Sequence, residues 1–344
     1  MGFDKYGKSL TRRDLLIKGG KAALAVGAGL SLDPVLSGCA TIGPNETAPV
    51  IYPPLRGHKI QPPKDGCMIG FRYLTIETRR IVKSYGEKLG QKPSIFILHW
   101  SYKIFSNFPM LSAVEAAIEG VTPFIFVIVS SDLTEIIKGK HDQQITRFAE
   151  EATRFGENYG GFIINTMWEM NIDNKNPSFN HPWCRQPESF KKAWKHIWQV
   201  FEDNGANEYA TWMIEYHADY PLEGYYPGDS FVDWIGLSAY NRTFQQKYRG
   251  YRYLNDLISG PYNYFRRRYE NKPIMQAEFG TTIGRDQPEW LIKAFQTIKS
   301  KPGIKAAIYW DKAAIQLGDD HTLSEESLKT LKQILEDAYF IMAK

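Results

Sequence analysis

Two glutamates each close a short apolar run. Ile163-Ile164-Asn165-Thr166-Met167-Trp168 leads into Glu169-Met170-Asn171, and Ile274-Met275-Gln276-Ala277 leads into Glu278-Phe279-Gly280. A run that buries itself also draws in the carboxylate at its end, and an ionised carboxylate held there without a partner is costly. A pair of them suggests a shared purpose. Glycoside hydrolysis needs such a pair: one acid to protonate the leaving oxygen, and one carboxylate to attack the anomeric carbon or activate water. Aromatic residues suit the same chemistry, because a flat apolar ring stacks on the C–H face of a pyranose. Of the nine tryptophans, Trp100, Trp168, Trp183 and Trp310 end strand-like runs or lie in the stretches that follow, and read as sugar platforms. Trp194, Trp198 and Trp290 lie on helical stripes, while Trp212 and Trp234 sit mid-run; these read as packing. His99, Asn171, Glu215 and His217 also stand at the ends of runs, within reach of sugar hydroxyls.

The elements that must position these groups alternate along the chain. Short apolar or β-branched runs cover 67–73, 94–100, 123–130, 161–168, 209–215, 232–240, 273–279 and 305–310. Several are apolar throughout, as strands buried on both faces should be. Between them apolar residues recur at helical spacing: Phe190, Ala193, Trp194, Ile197, Trp198 and Phe201 form one stripe, and Trp290, Leu291, Ala294, Phe295 and Ile298 another. Strand then helix, eight times in about 275 residues, is the arithmetic of a (β/α)8 TIM barrel. A doubly wound sheet fits the alternation too, but no Gly-rich phosphate loop follows the first run. In a barrel, chemistry lies at the C-terminal ends of the strands. Glu169 ends the fourth and Glu278 the seventh, on opposite sides of the mouth.

Around these glutamates the sequence resembles glycoside hydrolase family 26, the β-mannanase-like barrels of retaining clan A. The resemblance is carried by Ile136-Ile137-Lys138-Gly139-Lys140-His141-Asp142 with Phe148-Ala149, by Glu169-Met170-Asn171, and by His181-Pro182-Trp183 with Ala193-Trp194-Lys195-His196-Ile197. Tyr225-Tyr226-Pro227-Gly228-Asp229 with Val232-Asp233-Trp234-Ile235-Gly236, and Lys272-Pro273-Ile274-Met275 through Glu278-Phe279-Gly280, continue it. It implies a retaining β-glycoside hydrolase acting on a polysaccharide of mannan type or a related β-glycan. Glu169 would be the acid/base and Glu278 the nucleophile, with Tyr240 placed to hydrogen-bond Glu278. The family usually has His directly before the acid/base and Arg four residues before it. This chain has Trp168 and Asn165, so the choice of sugar stays open. A catalytically inactive carbohydrate-binding lipoprotein on the same barrel is the alternative.

The N-terminal stretch reads as an address. Arg12-Arg13 precedes Leu15-Leu16 and an apolar run over 22–32, about half the length that spans a bilayer. This resembles a twin-arginine export signal. Leu36-Ser37-Gly38-Cys39 resembles a lipobox, which implies a lipid on Cys39 after removal of residues 1–38. Six prolines between Ala40 and Gly66 make 39–66 a stiff tether, leaving 67–344 as the folded domain. The expected partners are therefore the export machinery, a membrane reached through the anchor at Cys39, and a glycan; the expected place is the cell envelope.

Composition supports this division. The formal charge is +4, but residues 1–38 hold six Lys/Arg against three Asp/Glu, leaving 36 basic and 35 acidic residues elsewhere. A net charge of +1 on the remainder offers no broad basic surface for nucleic acid. Three dispersed cysteines and seven scattered histidines without HExxH give no metal signature, and hydrolysis by two glutamates calls for no cofactor.

Overall fold

The computed structural model describes residues 59–73, 77–100, 105–173, 181–242, 250–284, 286–314 and 319–343, with backbone alone for His99, Trp100, Ala313, Ala314 and Asp319. Cys39 and the twin arginines lie outside the described residues.

Eight parallel strands form the barrel: β1 (Cys67–Arg72), β2 (Ile95–Trp100), β3 (Thr122–Val127), β4 (Phe162–Thr166), β5 (Ala210–His217), β6 (Trp234–Asn241), β7 (Ile274–Thr281) and β8 (Ile304–Trp310). Each pairs with the next, and β1 also pairs with β8, with Met68 opposite Ala306 and Arg72 opposite Trp310. The sheet is a closed (β/α)8 barrel. Outside it lie α1 (Thr78–Leu89), α2 (Met110–Ile118), α3 (Leu133–Ile137), α4 (Asp142–Tyr159), α5 (Pro187–Asp203), α6 (Leu254–Arg268), α7 (Gln287–Lys299) and α8 (Glu325–Ile334). None of these described helices is long and apolar enough to cross a membrane.

Helix and strand alternate less regularly than eight plain repeats would. Two helices, α3 and α4, connect β3 to β4, whereas β5 reaches β6 through a loop whose regular structure is a single 3-10 turn at Asp229–Phe231. Pro221, Gly224, Pro227 and Gly228 interrupt that loop, and such spacing leaves no room for a helix. Elsewhere the apolar stripes dock as their period requires. Along α5, Phe190, Ala193, Trp194, Ile197 and Phe201 are buried, and Trp194 and Phe201 meet Trp212 of β5 edge-to-face at 5.4 and 5.1 Å. Each such aromatic residue contributes about 2–3 kcal/mol by leaving water.

The period of two along the strands separates inside from outside. Met68, Ile97, Phe124, Phe126, Ile163, Met213, Trp234, Met275, Ala306 and Ile308 pack together in the barrel interior, while Ile69, Phe71, Ile164, Trp212, Ile214, Ile235 and Leu237 join the layer under the helices. Two residues on, the inward positions turn polar: Arg72, Asn165, Glu215 and Ser238. The change from apolar floor to polar mouth is written into the strands.

Residues 59–66, expected to belong to the tether, dock on the N-terminal end of the barrel. Ile60 N donates to Thr211 Oγ1 at 2.6 Å, Trp234 Nε1 donates to Ile60 O at 3.2 Å, and Lys59 pairs with Asp233 at 2.9 Å. The folded body therefore starts before Cys67. Near the C-terminus, β9 (Ala313–Ala314) and β10 (Asp319–Asp320) pair antiparallel, and β11 (Phe340–Ile341) runs parallel to the start of β1.

Candidate active site

Glu278 faces the barrel mouth because β7 is irregular. Strict alternation from Met275 and Ala277, both inside, would turn Phe279 inward and Glu278 out. Between Gly236 and Ser238 on β6, however, their partners advance from Met275 to Glu278, one residue more on β7. An extra residue in one strand reverses its parity. Phe279 consequently packs outside on Trp290 and Phe295 of α7, and Glu278, 3% exposed, turns in. There it accepts hydrogen bonds from Arg72 of β1 at Oε1 and from the Tyr240 phenol at Oε2. The Arg72 guanidinium lies 3.9 Å from the centre of the Trp310 ring and 5.3 Å from that of Phe126. This encloses a charge-assisted pair between aromatic faces.

Glu169 is presented by a strained turn. Met167 and Glu169 have φ of 56° and 50°, a region costly for residues other than glycine. The surroundings hold the turn in place. Glu169 N donates to Glu215 O at 3.0 Å, Trp183 Nε1 to Trp168 O at 2.8 Å, and Cys184 Sγ to Glu169 O at 3.8 Å. The carboxylate, 9% exposed, accepts from Ser238 Oγ at Oε1. Ser238 and Tyr240 stand two apart on β6, so both glutamates are held from one strand face.

Beneath Glu169 lies a third carboxyl. Glu215 is 1% exposed; its Oε2 accepts from Asn165 Nδ2 at 2.5 Å and its Oε1 has no hydrogen-bond partner among the described residues. Burial first, and then the neighbouring Glu169, raise its carboxyl well above the ordinary range, against the opposing pull of Arg72 and Asn165. Burial likewise raises the Tyr240 phenol, keeping it a donor. His181, stacked on Trp183 at 4.5 Å, is lowered by burial, with Glu169 opposing.

Several residues expected to meet sugar do other work. Trp183 is fully buried, between the His181 ring and the edge of Trp168 at 5.2 Å, and has no face to offer. Asn171 uses its whole amide on backbone: Nδ2 donates to His217 O at 2.9 Å and Pro221 O at 3.1 Å, and Oδ1 accepts from His217 N at 2.9 Å. It staples the β4 turn to the end of β5. Glu215 is buried and its Oε2 accepts from Asn165. His217 is buried and accepts from Asp219 N at Nδ1, 3.2 Å away. Trp168 and Trp310 remain half-buried at the rim. His99 and Trp100 end β2, and their side chains lie outside the described residues. No group of His, Cys, Asp and Glu among the described residues could hold a metal ion.

The chain is similar to known glycoside hydrolases. The glycosyl hydrolase family 26 model matches residues 138–301. The matched stretch runs from α4 through α7. Endoglucanase H of Acetivibrio thermocellus is 26% identical over 269 residues, covering 71% of this chain and 28% of that protein. The chain thus matches less than a third of that relative's length. Among solved structures, the family 26 domain of an endo-β-mannanase/endo-β-glucanase from Prevotella bryantii superposes with a TM-score of 0.60 at 13% identity, covering 81% of this chain and 91% of that one. A family 26 β-mannanase from Bacteroides ovatus gives a TM-score of 0.59 at 13% identity, with the same coverages. These structures share the barrel.

The stretch matched by the family model contains Glu169, Glu215, Ser238, Tyr240 and Glu278, whereas Arg72 and Trp310 come from strands outside it. Arg72 was missed in the sequence, and so was Ser238. For Arg72 a signal existed: a lone arginine closing the apolar run Cys67–Phe71. Where the resemblance led one to expect arginine, Asn165 instead serves Glu215, and the guanidinium beside Glu278 arrives from β1.

Proposed function

We propose that this barrel is a retaining β-glycoside hydrolase of family 26, cutting a β-linked polysaccharide of mannan type or a related β-glycan by double displacement. One observation carries the reading: two buried glutamates at the ends of β4 and β7, held by hydroxyls from the same face of β6 in contrasting surroundings. Arg72 supplies the countercharge for an ionised Glu278, as a nucleophile requires. Among the described residues Glu169 has no ion-pair partner, and it is held by a serine hydroxyl, which can donate or accept as Glu169 loses or gains a proton. Glu278 would attack the anomeric carbon while Glu169 protonates the leaving oxygen; Glu169 would then take a proton from water as the glycosyl-enzyme is hydrolysed. Trp310 and Trp168 offer half-exposed rings at the rim for stacking. The names of the relatives, mannanase and endoglucanase, support a β-glycan.

The test is to incubate the purified protein with mannans, mixed-linkage glucans, xylans and exopolysaccharides, following new reducing ends and their anomeric configuration by NMR. Cleavage with retention is expected for at least one. Tight glycan binding without cleavage would favour the inactive carbohydrate-binding alternative. The proposal places the enzyme in the cell envelope, exported through Arg12-Arg13 and lipid-anchored at Cys39. This part rests on the sequence alone. Cys39→Ala should leave an uncleaved, unlipidated precursor; normal processing of that variant would remove the anchor from the proposal.

A further inference from the structure

The Tyr240 and Trp310 rings stand edge to face beside Glu278, 5.5 Å between centres, and a cation flanks each. On one side the Arg242 guanidinium, just past the end of β6, lies 4.7 Å from the centre of the Tyr240 ring. On the other, Trp310 Nε1 donates to Lys312 O at 3.1 Å, which sets Lys312 at the edge of the indole. Asp311, between them in the chain, turns away into the wall, where its carboxylate accepts from Tyr85 Oη at 2.6 Å and Leu323 N at 2.8 Å. Lys312 turns back toward Arg72. Burial first, and then the Arg72 guanidinium, pull its ammonium below the ordinary lysine range. The nearby carboxylates do not answer this charge. Glu278 is paired with Arg72, Asp311 faces the wall, and Asp320 accepts from Thr322 N at 2.9 Å. Among the described residues no Asp or Glu forms an ion pair with Lys312. A half-buried ammonium that meets another cation and no anion is costly to hold, and a negative charge on the ligand would relieve it.

We propose that the substrate is an acidic β-glycan: the sugar stacked on Trp310 carries an anionic substituent, a carboxylate or a sulfate ester, that Lys312 and Arg242 receive. The inference names the substrate class for the hydrolase reading and rests on it. Both cations border the rings beside the nucleophile, so the charged sugar is the one Glu278 attacks or the one before it. A neutral sugar gains nothing from this arrangement. Lys312 offers a compact ammonium and Arg242 a planar fork of N–H donors, and both suit carboxylate or sulfate oxygens. Glu278 does not repel such a substrate, because Arg72 answers its charge.

The experiment offers the purified full chain β-1,4-linked manno- and gluco-oligosaccharides in three forms: neutral, oxidised to the carboxylate at C6, and sulfated at C6. Calorimetry reads Kd and new reducing ends read kcat/KM, for the native protein and for Lys312→Met, Lys312→Arg and Arg242→Gln. An anionic form should bind more tightly than its neutral parent, and the form that does so distinguishes carboxylate from sulfate. Lys312→Met keeps an unbranched side chain and removes the charge, so the ratio of anionic to neutral affinity should fall about 10- to 100-fold. Lys312→Arg should restore the ratio. A native protein that binds no anionic form better than its neutral parent overturns the proposal, and so does a ratio left in place by Lys312→Met. If that variant does not fold, Arg242→Gln should lower the same ratio, and an unmoved ratio overturns the proposal there too. Cleavage of neutral glycans with no preference for charge would sink the acidic substrate and leave the hydrolase. Tight, Lys312-dependent binding of an anionic form without cleavage would sink the hydrolase and leave the anion site.

Discussion

Ser238 and Tyr240 point from the same face of β6, and each hydroxyl holds a different glutamate: Ser238 holds Glu169 and Tyr240 holds Glu278. Two residues of strand advance about 7 Å, so one short stretch of backbone sets the spacing of both carboxyls. Whatever moves β6 moves the acid and the nucleophile together.

The two hydroxyls should nevertheless be separable by kinetics. Tyr240→Phe removes a hydrogen bond to a charged group, worth about 1.5–3 kcal/mol, so kcat/KM should fall roughly 10- to 100-fold. Because Glu278 attacks every substrate, that loss should be similar for aryl glycosides with good and poor leaving groups. Ser238→Ala acts on the proton donor, so its penalty should grow as the leaving group worsens. Equal responses to leaving group in the two variants would break the assignment of one hydroxyl to each role.

Asn171 should behave as a structural staple. Asn171→Leu strands the His217 N–H and frees the Pro221 carbonyl in a buried place, and should lower stability by about 2–3 kcal/mol. Urea unfolding measures this directly. For the folded fraction, KM should be unchanged; a raised KM at native stability would return Asn171 to the sugar.

How much of this was legible in the sequence depends on the range of the forces involved. Local period decides burial, so the strands, the helical stripes of α5 and α7, and the arrival of Glu169 and Glu278 at the mouth could all be read from spacing. Side-chain direction after an irregularity could not. The extra residue in β7 that turns Glu278 inward leaves no mark in the Ile274–Phe279 run, because Gln276 and Ala277 suit either parity. Arg72 stands 206 residues from its partner, and no local pattern links them. By residue type Trp183 and Asn171 suggest sugar contact, but Trp183 Nε1 donates to Trp168 O within the turn that has positive φ at Met167 and Glu169, and the Asn171 amide is spent on backbone at the end of β5 and just after it.

His321 should make the fold sensitive to acid. Burial lowers its imidazole to about 4, with Arg242 adding to the effect. Above the ordinary histidine value near 6.5, folded and unfolded chains are both neutral at this residue. Between that pH and about 4 the unfolded chain gains a proton that the folded one refuses, so stability falls as pH falls, by up to about 3 kcal/mol. His321→Gln should remove that share of the loss. Unfolding free energies at pH 7 and pH 4 measure it, and an identical loss in both proteins would contradict the burial effect.

The roles of the two glutamates can be assigned without knowing the natural glycan. In Glu169→Ala, a β-glycoside with a very good leaving group needs no proton, so the glycosyl-enzyme still forms on Glu278. Its hydrolysis is slow, because no base activates water. Azide, a small anion that needs no base, should restore turnover and yield a β-glycosyl azide, the anomeric centre having inverted twice. In Glu278→Ala the cavity lies on the opposite side of the sugar. Azide would then attack the substrate directly and give the α-azide after one inversion. The product anomer, read by NMR, therefore reports which carboxylate was removed. The opposite pairing of variant and anomer would exchange the roles of Glu169 and Glu278. Full activity in both variants would take the pair out of the chemistry, leaving Arg72, Ser238 and Tyr240 as the scaffolding of a binding cleft.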